Sequence, residues 1–263
     1  MASRRPHRTD LSDERWALIE PTLTAWREAR RGLGIKKPTH DLREIVNAIG
    51  YVNRTGIAWE YLPHDFPPHK TVYGYFSAWQ ADGTTERIHD LLRRRTRHAS
   101  GRKDEPTAAI IDAQTVPTSS NVAESEQGYD AGKRVKGRKR HIATDTPGLL
   151  LAVIVIAAHA WVDSGYKTRF AEHAARAGIT IEAVAREPGQ RGFRVLPRRW
   201  AVERTFGWLV LHRRLTRDHE ARSGHARSMV HWAMIDVMSR RLTGGNTPIW
   251  RDAPTEPGTP PAT

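Results

Sequence analysis

Apolar positions in the first hundred residues recur every three or four places, the spacing of one buried helix face. Trp16, Ile19 and Leu23 form such a set behind Ser12, an N-cap residue type. Asp13 and Glu14 follow where the helix dipole favours acids. Residues 27–38 are basic and contain Gly, which predicts a loop. Leu42, Ile45, Val46 and Ile49 predict a second helix from about Asp41 to Asn53. Trp59, Tyr61, Leu62 and Pro63 follow as a compact aromatic turn. After Pro67-Pro68 a third helix is predicted over about Thr71 to Gln80. Gly83 ends it, and Thr84 opens a fourth that runs to about Arg97. Two helices joined by a short Gly-bearing turn fit a helix-turn-helix, and equally a plain helical hairpin.

The pattern then changes. Arg93, Arg94, Arg95, Arg97, Arg102 and Lys103, with Pro106, predict a basic linker over 93–106. Ala108 to Ile111 predict a strand running into Asp112, and a second strand lies around Arg140–Asp145. Thr146-Pro147-Gly148 turns into a third, Leu149–Ala158, rich in Val and Ile. Phe170 to Ala177 reads as helix and Ile179 to Val184 as strand. Arg198 to about Arg214 predicts another helix. Arg227 to Leu242 predicts one more, apolar on most faces through Val230, Trp232, Ile235, Val237 and Met238. Residues 244–263 are rich in Pro, Gly and Thr and are predicted to be disordered. Strands set among helices place the chain in the α/β (α+β) class. The predicted division is a helical region 1–103, a sheet-bearing domain 104–243 and the tail 244–263.

Charge narrows the partners. Lys and Arg number 42 against 29 Asp and Glu, a formal charge of +13 and a pI near 10.5. Such an excess, clustered and interleaved with aromatics, points to nucleic acid; a generic basic surface is the plainer alternative. The 263 residues contain no Cys, which excludes disulfides, thiolate zinc sites and Cys nucleophiles. The most apolar stretch, Leu149 to Ala158, is about half the length of a membrane span. Residues 1–10 lack the apolar segment of a signal peptide, so a cytoplasmic protein is expected.

Asp112, Asp163 and Glu203 are the candidate chemistry. An Asp closing a strand, as Asp112 does, is usually a turn or cap residue. Asp163 stands before Ser164-Gly165, a turn signal, and Glu203 lies four residues from Arg199, which allows a surface ion pair. Taken together in a basic chain, three carboxylates from separate elements point to a divalent metal acting on a phosphodiester. Between the first two predicted strands lie Lys133, Arg134, Lys136, Arg138, Lys139 and Arg140, with Gly128, Gly132 and Gly137 among them. Charge runs are usually solvated faces. Here the glycines would also admit a phosphate close to the backbone.

Longer motifs carry a resemblance. They include Leu11-Ser12-Asp13-Glu14-Arg15-Trp16, Thr55-Gly56-Ile57-Ala58-Trp59-Glu60-Tyr61-Leu62-Pro63 and Ile110-Ile111-Asp112-Ala113-Gln114-Thr115-Val116. Gly128-Tyr129-Asp130-Ala131-Gly132-Lys133 and Lys136-Gly137-Arg138-Lys139-Arg140-His141 follow. The last is Leu196-Pro197-Arg198-Arg199-Trp200-Ala201-Val202-Glu203-Arg204-Thr205-Phe206-Gly207-Trp208-Leu209. In this order, over about residues 11 to 242, the chain resembles the DDE transposases of bacterial insertion sequences, of the family-five type. The resemblance implies an RNase H-like mixed sheet with flanking helices. It implies Asp112, Asp163 and Glu203 as catalytic and metal-binding acids, with Mg2+ or Mn2+ as cofactor. DNA contacts are expected from Lys133, Arg134, Lys136, Arg138, Lys139, Arg140 and Arg199. The implied partners are double-stranded DNA, as transposon ends and target, and a second copy in a homodimer, since two ends must be joined. No membrane partner is expected.

The chain departs from that family at one place. There, the strand matching Leu149–Ala158 is followed by a helix and a further strand before the motif matching Asp163-Ser164-Gly165-Tyr166. Here only His159, Ala160, Trp161 and Val162 intervene. A deletion of roughly thirty residues, one crossover unit, accounts for the difference. Four residues span at most about 14 Å. The second acid's strand, expected beside that of Asp112, requires a crossing of roughly 10–15 Å and a return along a strand length. This copy is therefore expected to be impaired in catalysis.

Overall fold

The computed structural model describes residues 4–30, 40–157 and 200–249. Its first helix, α1 (Asp13–Ala17), is capped by Ser12, whose Oγ accepts from the Arg15 amide at 3.3 Å. The single helix predicted here is two. Pro21 starts α2 (Glu20–Glu28), because its missing N–H is tolerated only in a first turn. Asp41 caps α3 (Leu42–Thr55), and Gly56 closes it at φ +80°. A 3₁₀ turn at Trp59–Tyr61 is the predicted aromatic corner. Then come α4 (His69–Ala81) and α5 (Thr84–Ala99), joined through Asp82 and Gly83. Asp82 organises that junction. It accepts from the Thr84 amide at 3.0 Å and from Trp26 Nε1 and Arg30 at 2.6 Å.

Four strands follow: β1 (Ile110–Pro117), β2 (Gly128–Asp130), β3 (Val135–Thr144) and β4 (Leu150–Ala157). β3 pairs antiparallel with β1 on one edge and with β2 and β4 on the other. β1 and β4 therefore run in the same direction and flank β3. One parallel bridge, Thr118–Asp218, extends the end of β1. Gly137 is required where β3 meets β1, because a Cβ there would lie 2.0 Å from the Val116 carbonyl oxygen. That glycine serves strand pairing.

The last two helices are α6 (Trp200–Val210) and α7 (Ser223–Leu242). α7 is apolar on most sides and is correspondingly enclosed. It packs on α3, α4, α5, α6 and β4. Met229, Val230, Ala233 and Met234 join Ile45, Ile49, Phe76, Trp79, Ile88, Leu92 and Val153 in one apolar cluster. Arg15 of α1 reaches Asp236 of α7 at 2.6 Å. Burial would raise the Asp236 pKa. The hydrogen bond and charge of His212, with Arg15 and Arg240, overcome this and hold the carboxyl well below the usual range.

Of the predicted basic linker, Arg93 and Arg97 turn inward, while Arg94, Arg95, Arg102 and Lys103 are exposed. Arg93 and Arg97 belong to α5 and are buried. Arg93 binds Glu105 at 3.0 Å and the Asp104 carbonyl, and Arg97 pairs with Asp145 in the β3–β4 turn. Buried guanidinium groups need such partners, so the segment folds around them.

Candidate active site

Asp112 is the third residue of β1 and stands opposite Ile142 of β3. Directly opposed residues share a sheet face. Asp112 therefore faces with Gln114, Arg138, Arg140 and Ile142, and with Val153 and Val155 of β4. The helices and the loop after α6 cover this face: α7 packs on β4, α6 on β1 and β3, and Arg140 reaches the Leu215 carbonyl. Asp112 is half-buried, and its Oδ1 accepts from the Ala113 amide at 2.8 Å.

Glu203 lies on α6, whose Ala201, Val202, Thr205 and Leu209 are buried while Glu203 is exposed. Val202 is fully enclosed and Phe206 packs against the core. α6 is pinned to the β3–β4 turn. Thr205 Oγ1 donates to the Gly148 carbonyl at 2.6 Å, and Arg204 donates to that of Pro147. Gly148 adopts φ +82° with the helix directly against it. The structure thus brings the strand of Asp112 and the helix of Glu203 into contact. Asp163 and Arg199 lie outside the described residues.

Carboxylate oxygens suit a hard cation such as Mg2+, so Asp112 and Glu203 fit in donor chemistry. Among the described residues no three His, Asp or Glu come together as a metal group.

The predicted phosphate contacts divide in two. Lys133 and Arg134 are exposed at the β2–β3 hairpin tip, where Asp130 accepts from the Lys133 amide at 3.1 Å. Lys136 is exposed and pairs with Glu124 at 2.6 Å. Lys139 is half-buried, on the sheet face away from Asp112. Arg138 and Arg140 instead point inward, in the same strand phase as Ile142. Arg138 is 1% exposed and donates to Asp218 at 3.3 Å. It also donates to the Glu126 carboxylate and to the carbonyls of Glu126, Glu220 and Ala221. Burial lowers the Arg140 pKa to about 10, opposed by Asp218. These two arginines hold β3 to the loop between α6 and α7.

Arg214 and Glu220, paired at 2.8 Å, complete that buried network and were not singled out by sequence reasoning. Burial raises the Glu220 pKa, against the pull of Arg214. The signal was present in β3, where alternation places Arg138 and Arg140 on the apolar face.

A sheet strand and a packed helix, each presenting an acid within a basic chain, are consistent with a DDE transposase fold. Comparison with known proteins agrees. Residues 11–89 match the model of a domain assigned to transposases of the IS4/5 family. Residues 103–160 and 160–238 match two models of the transposase DDE domain. The two DDE matches meet at residue 160, within the short connection that marks the departure. The chain is 32% identical over 108 residues to an uncharacterized 16.2 kDa protein of insertion element IS402 from Burkholderia cepacia. That match covers 40% of this chain and 71% of the relative. No solved structure matches. The chain belongs to the DDE transposases of bacterial insertion sequences, in the IS4/5 group. No helix among the described residues is long and apolar enough to cross a membrane.

Proposed function

We propose that this chain is a DNA transposase that binds the ends of its element, cuts the phosphodiester there and joins the freed 3′ hydroxyl to target DNA. The observation that carries the reading is the contact between the Asp112 strand and the Glu203 helix, in a chain of +13 charge. Asp112 and Glu203, with Asp163 as third acid, would hold two divalent ions, Mg2+ or Mn2+. Such ions lower the pKa of an attacking water or hydroxyl and stabilise the leaving oxygen. Glu203 would act from a helix fixed at Gly148 and Asp112 from a strand fixed by its eight-residue ladder with β3, so both ligands are held in place. Lys133, Arg134, Lys136 and Lys139 supply phosphate contacts, and the helical region before residue 103 supplies recognition of the ends. Two copies bringing two ends together complete the arrangement, in the cytoplasm.

One observation favours a second reading, in which the copy binds DNA without cutting it. β4 lies across β3 from β1 and ends at the same end of the sheet as β1. A strand on the outer edge of β1, parallel to it, would need a crossing of roughly 10–15 Å and a return of about eight residues. Residues 158–162, between the end of β4 and Asp163, reach at most about 18 Å. Incubating the purified chain with end-bearing duplex and Mg2+ or Mn2+ separates the two. Robust cleavage lost in Asp163→Ala supports the transposase; background cleavage with retained end binding supports the second reading. Equal affinity for end-bearing and random duplex would remove end recognition from both.

A further inference from the structure

Trp200, Arg204 and Trp208 recur every fourth residue and form one stripe along α6. The Arg204 guanidinium lies 4.5 Å from the Trp200 ring centre and 5.0 Å from that of Trp208. Arg241 of α7 covers Trp208 at 3.9 Å. Ring and cation thus alternate as Trp200, Arg204, Trp208 and Arg241. Trp208 packs against the core, whereas Trp200 is 50% exposed and, among the described residues, takes no part in it. Arg204 does not depend on Trp200 for its place, since the Pro147 carbonyl already anchors it. Trp200 also stands three residues before Glu203, so ring and carboxylate are surface neighbours on one helix.

We propose that Trp200 is a stacking platform for one nucleobase of an unpaired DNA strand, with Arg204 and Arg241 opposing the charge of the neighbouring phosphates. This deepens the transposase reading and rests on it. An aromatic face accepts any base, and adjacent guanidinium groups favour the polyanion over an apolar partner. A base held there keeps the adjoining phosphodiester beside Glu203 when the strands separate at the cleavage position.

The test uses the full chain, a fluorescent twenty-nucleotide thymidine strand and a twenty-base-pair duplex, with anisotropy read at several salt concentrations. Trp200→Ala is expected to weaken single-strand binding about five- to 150-fold, the span of base stacking on an aromatic. The slope of affinity against salt is expected to stay unchanged, because no charge is removed. Trp200→Phe is expected to keep most of the affinity, and both variants to melt with the wild type. Single-strand affinity unchanged in Trp200→Ala would overturn the proposal. So would an equal loss on duplex and single strand, or a change of oligomeric state in sedimentation, which would assign Trp200 to a second copy. A wild-type chain that binds neither DNA would bring down the transposase reading itself, whereas a binding wild type with a silent Trp200→Ala removes only the stacking.

Discussion

Arg138 and Lys139 are adjacent in sequence and opposite in consequence. Arg138 is enclosed and donates to groups 12 to 83 residues away, whereas Lys139 is half-buried on the other sheet face. Removing one member of a buried ion pair strands the other without solvent. Arg138→Ala would leave Asp218, 4% exposed, in that position. A loss of about 3–5 kcal/mol is therefore expected in urea unfolding. Lys133→Ala is expected to leave stability within about 0.5 kcal/mol. It should weaken DNA binding on all sequences alike and reduce the salt slope by about one, measured by anisotropy titration. A stable Arg138→Ala with weakened DNA binding would reverse the assignment of the two side chains.

At the scale of elements, the α5–α7 contact is sensitive to acid. His231 of α7 lies against His89 of α5, ring centres 4.9 Å apart. Burial, then the charges of His89 and Arg227, push the His231 pKa well below its ordinary value, and Asp90 opposes them. The native state thus resists a proton that the unfolded chain accepts below about pH 6.5. Stability is full above that pH and falls as pH drops toward the depressed folded value, by at most about 1.4 kcal/mol per unit for one group. His219 and His225 are also lowered, burial first, and add to the same slope. His231→Phe is expected to flatten stability between pH 6.5 and 5, read from urea midpoints at each pH. An unchanged slope would place the sensitivity in the other histidines. α6 depends similarly on one hydroxyl: Thr205 bonds both Gly148 and Ala201 carbonyls. Thr205→Val is expected to cost about 1–3 kcal/mol by leaving the buried Gly148 carbonyl unpartnered.

For the whole molecule, the enclosed C-terminal helix decides what can be separated. α3, α4 and α5 bury their apolar faces on α7, more than a hundred residues later in the chain. A fragment of residues 1–103 would expose those faces to water. It is expected to melt without cooperativity by circular dichroism, although charge alone predicts that it binds DNA. The connection after β4 bears on the whole sheet. The outer edge of β1 is out of comfortable reach of residues 158–162, so on the reading in which the copy binds without cutting, end cleavage is near background. Asp163→Ala is expected to change it little. Strong cleavage by the wild type, abolished in Asp163→Ala, would show another route for the second acid.

Local sequence by itself determined the helices with their caps at Ser12 and Asp41, the closing Gly56, the apolar strands and the family of acid-bearing motifs. These depend on contacts within a turn or on alternation along one strand, which neighbouring residues encode. Even there, Pro21 divided a helix that spacing alone had run together. The tertiary structure alone decided that Arg93, Arg97, Arg138 and Arg140 turn inward and that α7 joins the helical region to the sheet. A guanidinium is buried only where distant partners repay its desolvation. Those partners stand far along the chain, Asp145 for Arg97 and Asp218 for Arg138, so a run of arginines reads as solvated surface until folding brings the acids to it.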